Sequence, residues 1–246
     1  MKVIILAGGL GTRISEETED KPKPMVLLDD KPILWHVMNI YALQGFKEFI
    51  IATGYKHEVI ERYVNQLESD LHIRCIFTGE ESQTAKRISL CLNVLDDKEE
   101  VFVTYGDGLG NINLMELRSY HAKHGKVATV TAVRPPARFG VMEFKNGLVS
   151  HFGEKSQADS GWINGGFFLL NPEIVKFITG QNDSFEIDVL PRVVAESELM
   201  AYEHDGFWQP MDTLREKNML ALLSKQNPPP WIDSITPSKE VFDASN

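Results

Sequence analysis

The stretch LAGGLGTRISEETEDKPKPMV, residues 6–26, sets three glycines directly after an apolar run and follows them with cations. Gly8, Gly9 and Gly11 free backbone N–H groups at a turn, and such groups can face an anion. Arg13, Lys21, Lys23 and Lys31 come next, so the expected anion is large and polyvalent. Pro22 and Pro24 flank Lys23 and stiffen the loop that presents it. A dinucleotide fingerprint requires G-x-G-x-x-G, but the third glycine position holds Ile14. The second strand-like run, ending IIATGY, also lacks the carboxylate that a ribose needs. The P-loop pattern G-x-x-x-x-G-K-[ST] is absent. What remains is a glycine turn followed by cations on a longer loop: either a tight strand-to-helix turn with solvated charges, or a site for a nucleoside triphosphate, in which the glycines let backbone approach base and ribose while Arg13 and Lys23 neutralise phosphates.

Other residues carry chemistry less decisively. Asp107 of YGDG reads equally as a turn residue or a metal ligand. Asp212 of PMDT, with Glu216 nearby, reads alone as a helix N-cap. His121 and His124 stand three apart on a helical pattern, as a metal pair would, but with Lys123 and Lys126 beside them they read as an exposed face. Phe207 and Trp208 suit either a ligand wall or core packing, and Glu16, Glu17, Glu19 and Asp20 suit a mobile acidic stretch. No Ser/His/Asp or Cys/His set declares itself.

The elements that must position these residues alternate along the chain. KVIILA is a near-continuous apolar run, as expected of a parallel strand buried on both faces. Strand-like FKEFIIATG, HIRCIFTG, EEVFVTYGDG and KVATVTAV follow, separated by helical patterns in ILWHVMNIYALQG, HEVIERYVNQLES, AKRISLCLNVL and LMELRSYHAKHG. Gly45 and Gly125 suit helix C-termini. This order predicts an α/β fold with a doubly wound, mostly parallel, Rossmann-like sheet, and after residue 134 the pattern changes to a small β-rich part. FGVMEFKNGLVSHFGEK predicts a hairpin turning at Asn146–Gly147; a strand in WINGGFFLLNP, a short helix in PEIVKFI, a strand in ELMAYEHDG and a helix in MDTLREKNMLALLSKQ complete the pattern. In open parallel sheets ligands sit beyond the carboxyl ends of the strands, which is where the glycine loop and YGDG fall. Residues 1–226 read as one catalytic domain, and 227–246, rich in Pro and polar residues, as a surface arm or tail.

Bulk properties narrow the partners. At 246 residues, 43% hydrophobic and 24% charged, the chain has ordinary globular composition. Its net charge of −10 argues against a nucleic-acid footprint, which needs a basic face. A local cationic site on an acidic protein suits a small anion better than a polyanion. No apolar run approaches the ~18–20 residues that span a bilayer, so no membrane partner is expected, and MKVIILAGG reads as a first strand rather than a signal segment. Two cysteines, Cys75 and Cys91, read as buried thiols in a reducing, cytoplasmic setting.

LAGGLGTR followed by KPKPMV resembles the signature of the sugar-phosphate nucleotidyltransferases. The likeness continues through KPILWHVMNIYALQGFKEFIIATGYK, FVTYGDG, PPARFG, INGGFFLLNP and GFWQPMDTLREK, covering roughly residues 1–226. FWQPMDTLR and INGGFF point to the cytidylyltransferase branch. The resemblance implies that a sugar 1-phosphate oxygen attacks the α-phosphate of CTP and releases pyrophosphate, with glucose 1-phosphate as the expected acceptor. Another nucleotide, another phosphorylated acceptor, or a binding module without turnover are the alternatives. The resemblance implies that Leu6, Ala7, Gly8, Gly9, Gly11, Thr12 and Arg87 hold the nucleotide, Arg13 the β- and γ-phosphates, and Lys23 the α-phosphate. Asp107 and Asp212 would hold Mg²⁺; Tyr105, Gly140, Glu154, Lys155, Asn164 and Gly165 would hold the sugar phosphate; and the chain would form a homo-oligomer. This chain departs from the branch at TAKRI, residues 84–88, where the branch carries a TGGRL-like segment, and at Ser156, where EKP is usual.

Overall fold

The computed structural model describes residues 1–95, 99–135, 140–146, 148–154 and 161–235. In chain order the first elements are β1 (Lys2–Ala7), the single turn α1 (Ser15–Thr18), β2 (Leu27–Leu28), β3 (Lys31–Pro32), α2 (Ile33–Ala42), β4 (Glu48–Thr53) and α3 (His57–Gln66). Then come β5 (His72–Phe77), α4 (Thr84–Leu92), β6 (Val101–Tyr105), β7 (Gly108–Gly110), α5 (Leu114–His124), β8 (Ala128–Val133), β9 (Gly140–Lys145) and β10 (Leu148–Glu154). The last are β11 (Ile163–Leu170), α6 (Leu190–Ala195), β12 (Leu199–His204), β13 (Trp208–Pro210) and α7 (Leu214–Leu223).

Seven strands form one sheet in the order β12-β8-β11-β6-β1-β4-β5. β11 runs antiparallel to β6 and β8, and the other neighbours are parallel. The apolar run of β1 explains its inner place. Val3, Ile5 and Ala7 face one core with Tyr41, Phe102 and Phe167, while Ile4 and Leu6 face a second with Ile88, Phe168 and Phe185. A period of two thus feeds both layers, and each such Val, Ile or Leu contributes ~1.5–3 kcal/mol by leaving water.

Helix ends follow their local residues. Gly125 takes the left-handed conformation (φ 63°) that closes α5, as expected. Thr213, not Asp212, caps α7: its hydroxyl accepts from the Glu216 N–H at 3.2 Å, and the Glu216 carboxylate accepts from the Thr213 N–H at 3.0 Å. The helix start is therefore built one residue beyond Asp212, whose carboxylate is left for other work.

Three expectations are corrected. His121 is not on an exposed face: it is 1% exposed, its Nδ1 lies 2.6 Å from Thr129 Oγ1, and His124 Nε2 lies 2.8 Å from the same oxygen. The helix turns both imidazoles toward β8 because Thr129 offers the partner. The segment after α7 is not simply a surface arm, since Trp231 is fully buried, meets His36 edge-on at 5.3 Å and lies 6.1 Å from Phe207. The acidic stretch holds a helical turn, and Glu17 accepts from Lys217 Nζ at 2.9 Å.

The expected hairpin forms, with β9 and β10 antiparallel and Asn146 at φ 52°. The WINGGFF segment is a bulged strand, its register against β8 shifting between Asn164 and Phe168. The short antiparallel pair of β7 and β13 matters most for function. It sets Gly108 opposite Pro210, and the Met211 N–H donates to the Asp107 carbonyl at 2.9 Å. Two aspartates distant in sequence are thereby brought to one point.

Candidate active site

Leu6 and Ala7 end β1, and the chain turns through Gly8, Gly9 and Gly11 at the carboxyl edge of the sheet. Gly11 has φ 66°, a conformation that side chains resist, and a Cβ there would also press on Lys23 and Thr18 at 3.0 Å. A Cβ on Gly8 would fall 2.1 Å from the Arg87 guanidinium. These residues, with Thr12, Arg13, Lys23 and Arg87, line a cleft of about 480 Å³. A second cleft of about 580 Å³ is lined by Asn164, Gly165, Trp208, Glu186 and Asp212. Arg13, Thr84, Tyr105 and Asp107 border both, so two ligands placed in them would meet there.

At this junction four charged side chains of the described residues converge. Lys23 Nζ lies 2.5 Å from Asp107 Oδ2 and 2.8 Å from Asp212 Oδ1, and Arg13 Nη1 lies 2.7 Å from Asp212 Oδ2. The backbone explains the aim of Lys23. It opens a 3₁₀ turn after extended Pro22, the Met25 N–H donates to the Pro22 carbonyl at 2.8 Å, and the residue is only 8% exposed. Burial works against its charge, but Asp107 and then Asp212 outweigh that, holding the ammonium above the ordinary lysine range. Asp212 is steadied from behind by Glu216, whose carboxylate accepts the Asp212 N–H at 2.8 Å. The two aspartates offer hard carboxylate oxygens to a common point, a donor set whose chemistry would suit an oxygen-preferring divalent cation such as Mg²⁺.

Arg87 has a different place from the one expected of a phosphate ligand. Its Nη1 donates to the carbonyls of Thr53 (3.2 Å) and Gly79 (2.8 Å) and to Thr78 Oγ1 (2.6 Å), and its Nη2 to the carbonyls of Gly8 and Glu80, each at 3.0 Å. Burial lowers its pKa, and the guanidinium serves as a buried knot joining the loops after β1, β4 and β5. Ala85 is fully buried in the core, and its N–H donates to the Asp183 carbonyl at 3.1 Å. Within TAKRI it is Thr84, not Ala85, that reaches both clefts.

The second cleft has an organiser that sequence reading missed. Glu186, on a π-helical turn, accepts the Tyr105 hydroxyl, Thr84 Oγ1 at 2.6 Å and Ser184 Oγ at 3.0 Å. Tyr105 in turn accepts from Asn164 Nδ2 at 3.2 Å, and Asn164 Oδ1 accepts the Gly166 N–H at 2.8 Å. Burial, then Glu186, push the Tyr105 phenol up, so it stays a neutral donor. Trp208 lines this cleft and donates its indole N–H to the Gly165 carbonyl at 2.8 Å, while Phe207 packs toward the core. Gly140 and Glu154 are register partners at the open end of the β9–β10 hairpin, and Lys155 lies outside the described residues. The signal for Glu186 was slight: Ser184 before it caps the turn, its oxygen accepting the Ile187 N–H at 3.2 Å.

Comparison with known proteins agrees with this geometry. A family model for nucleotidyl transferase matches residues 2–217. The chain is 42% identical to glucose-1-phosphate cytidylyltransferase of Salmonella typhimurium, over 94% of this chain and 98% of that one. It is 32% identical to the mannose-1-phosphate guanylyltransferase catalytic subunit beta of Dictyostelium discoideum, over 90% of this chain and 63% of that protein. Its fold is similar to HddC from Yersinia pseudotuberculosis, solved with GMP-PN, with a TM-score of 0.71 at 23% identity, covering 91% and 99% of the two chains. A glycine turn at the edge of a parallel sheet, two clefts meeting at paired cations and carboxylates, and these likenesses agree: the chain belongs to the nucleotidyl transferase family.

Proposed function

We propose that the chain joins CTP to glucose 1-phosphate, giving CDP-glucose and pyrophosphate. The observation that carries this reading is the meeting of the two clefts at Arg13, Tyr105 and Asp107, in a chain 42% identical to a glucose-1-phosphate cytidylyltransferase. The triphosphate takes the glycine-lined cleft and the sugar phosphate the cleft beneath Asn164, Gly165 and Trp208. A phosphate oxygen of the sugar attacks the α-phosphorus in line; a new P–O bond forms, the bond to the β-phosphate oxygen breaks, and the electron pair leaves with pyrophosphate.

Both reactants are anions, so the protein screens and aligns rather than supplying a nucleophile. Lys23 sits against the α-phosphate, where charge gathers as the bond forms. Arg13, its side chain 74% exposed and free to follow the ligand, takes the β- and γ-phosphates and the departing pyrophosphate. Asp107 and Asp212 would hold Mg²⁺, which when bound neutralises phosphate oxygens. Lys155 and Glu154 would meet the sugar phosphate and a sugar hydroxyl, with Gly140 opposite Glu154 in the hairpin. The free thiols of Cys75 and Cys91 support a reducing, cytoplasmic setting, and the family resemblance supports a homo-oligomer.

Phosphorus NMR of the protein with CTP, glucose 1-phosphate and Mg²⁺ tests the reading. The expected result is a new pair of coupled diphosphate resonances growing as free pyrophosphate appears. Pyrophosphate without that pair would mean hydrolysis and would overturn the transfer.

A further inference from the structure

Lys23 occupies a position that the proposed reaction would assign to something else. Its ammonium bridges Asp107 Oδ2 at 2.5 Å and Asp212 Oδ1 at 2.8 Å, so a cation held by the same two oxygens would compete with that ammonium for its place. Arg13 covers the remaining Asp212 oxygen at 2.7 Å. Among the described residues, two cations face two anions in this cluster. It is also held in shape, because Lys23 is 8% exposed and starts a turn locked by Pro22 and Pro24, while the Asp212 backbone is fixed by Glu216. A divalent ion entering this cluster would meet an ammonium in the same space, and displacing it would leave a nearly buried charge without a partner.

We infer that Lys23 is the internal occupant of the metal position in the empty enzyme, and that the nucleotide's phosphates, by drawing Lys23 and Arg13 onto themselves, open Asp107 and Asp212 to the metal. This rests on the reading of those two aspartates as the metal's carboxylates. One residue then has two successive partners: carboxylates before the nucleotide arrives, the α-phosphate after it. The consequence is an order of assembly in which the protein has little hold on a divalent ion until a nucleoside triphosphate is seated. Lys23 thereby gates metal entry as well as screening the transfer.

The test is binding of Mn²⁺ alone to the nucleotide-free protein, followed by the relaxation of water protons, with folding of each variant checked by circular dichroism. Wild type should bind Mn²⁺ weakly. Lys23→Met should bind it about tenfold tighter or more, since a like charge is removed from beside the ion. Lys23→Arg, which keeps the charge, should stay weak, and a smaller Lys23→Ala change serves if Lys23→Met does not fold. Adding Asp107→Asn to Lys23→Met should abolish the gain. Tight Mn²⁺ binding to wild type, unchanged by Lys23→Met and lost in Asp107→Asn, would overturn the gating while leaving the metal carboxylates in place. A gain in Lys23→Met that survives Asp107→Asn would overturn both.

Discussion

Replacing Arg87 by Met should loosen the nucleotide cleft from beneath. The side chain is 4% exposed, and its two terminal nitrogens reach five oxygens on the loops after β1, β4 and β5. Hydrogen bonds from a charged donor contribute about 1.5–3 kcal/mol each, so five independent bonds would exceed any realistic cost. They are not independent. The Gly8 carbonyl also accepts the Tyr55 N–H at 3.2 Å, and the Thr53 carbonyl also accepts the Thr78 N–H at 2.9 Å, so both keep a partner. Water from the adjoining cleft can reach others. A net loss of about 3–4 kcal/mol follows, the worth of about two such bonds. For a chain of this size that lowers the melting temperature by about 6–16 °C. Because the guanidinium packs against Gly8, the Michaelis constant for CTP should rise along with the loss of stability. Lys at this position keeps the charge but lacks the fork and should recover only a small part. Thermal unfolding by circular dichroism, with initial rates at varied CTP, measures both effects. A melting temperature within about 2 °C of wild type, with an unchanged Michaelis constant, would refute the knot.

Three further outcomes are expected. Lys23→Ala should lower kcat by roughly 10²–10³, the range seen when one preorganised charge-stabilising donor is lost; wild-type turnover would remove Lys23 from the chemistry. Asp107→Asn should abolish Mg²⁺-dependent turnover, and a variant that still responds to Mg²⁺ would place the metal elsewhere. His36 is pushed down to about 4, chiefly by burial, against an ordinary value of about 6.5. Between those values the unfolded chain binds a proton that the folded chain refuses. Stability should therefore fall as pH falls through that window, by up to about 3 kcal/mol from this group. Urea titrations followed by tryptophan fluorescence, which Trp231 beside His36 should report, would show a flatter pH slope in His36→Gln; identical slopes would count against it.

Much of the fold was legible because its signals are local. The run Val3 to Ala7 announces an inner strand, Gly125 a helix end, and the glycines before Arg13 and Lys23 a phosphate-facing turn. Spatial assembly was not. Glu186 gathers hydroxyls from Tyr105 and Thr84, 81 and 102 residues away, and nothing beside it in sequence points to them. Arg87 sits in a motif that suggests phosphate, yet its partners are carbonyls at the ends of separate strands. His121 looked exposed because lysines flank it, whereas Thr129 on the neighbouring strand decides where it points. Trp231 lies in a proline-rich segment without periodicity, and its burial depends on His36 and Phe207, which only the tertiary fold supplies.

The central claim is a nucleotidyl transfer between two anions held in adjoining clefts, with CTP and glucose 1-phosphate as the pair. The most direct test is the initial rate of pyrophosphate release with Mg²⁺, measured for CTP, UTP, GTP, ATP and dTTP, each against a panel of phosphorylated acceptors. The account predicts that CTP with glucose 1-phosphate gives the highest rate and that CTP without acceptor gives none. A maximum at another nucleotide, or release that needs no acceptor, would contradict it.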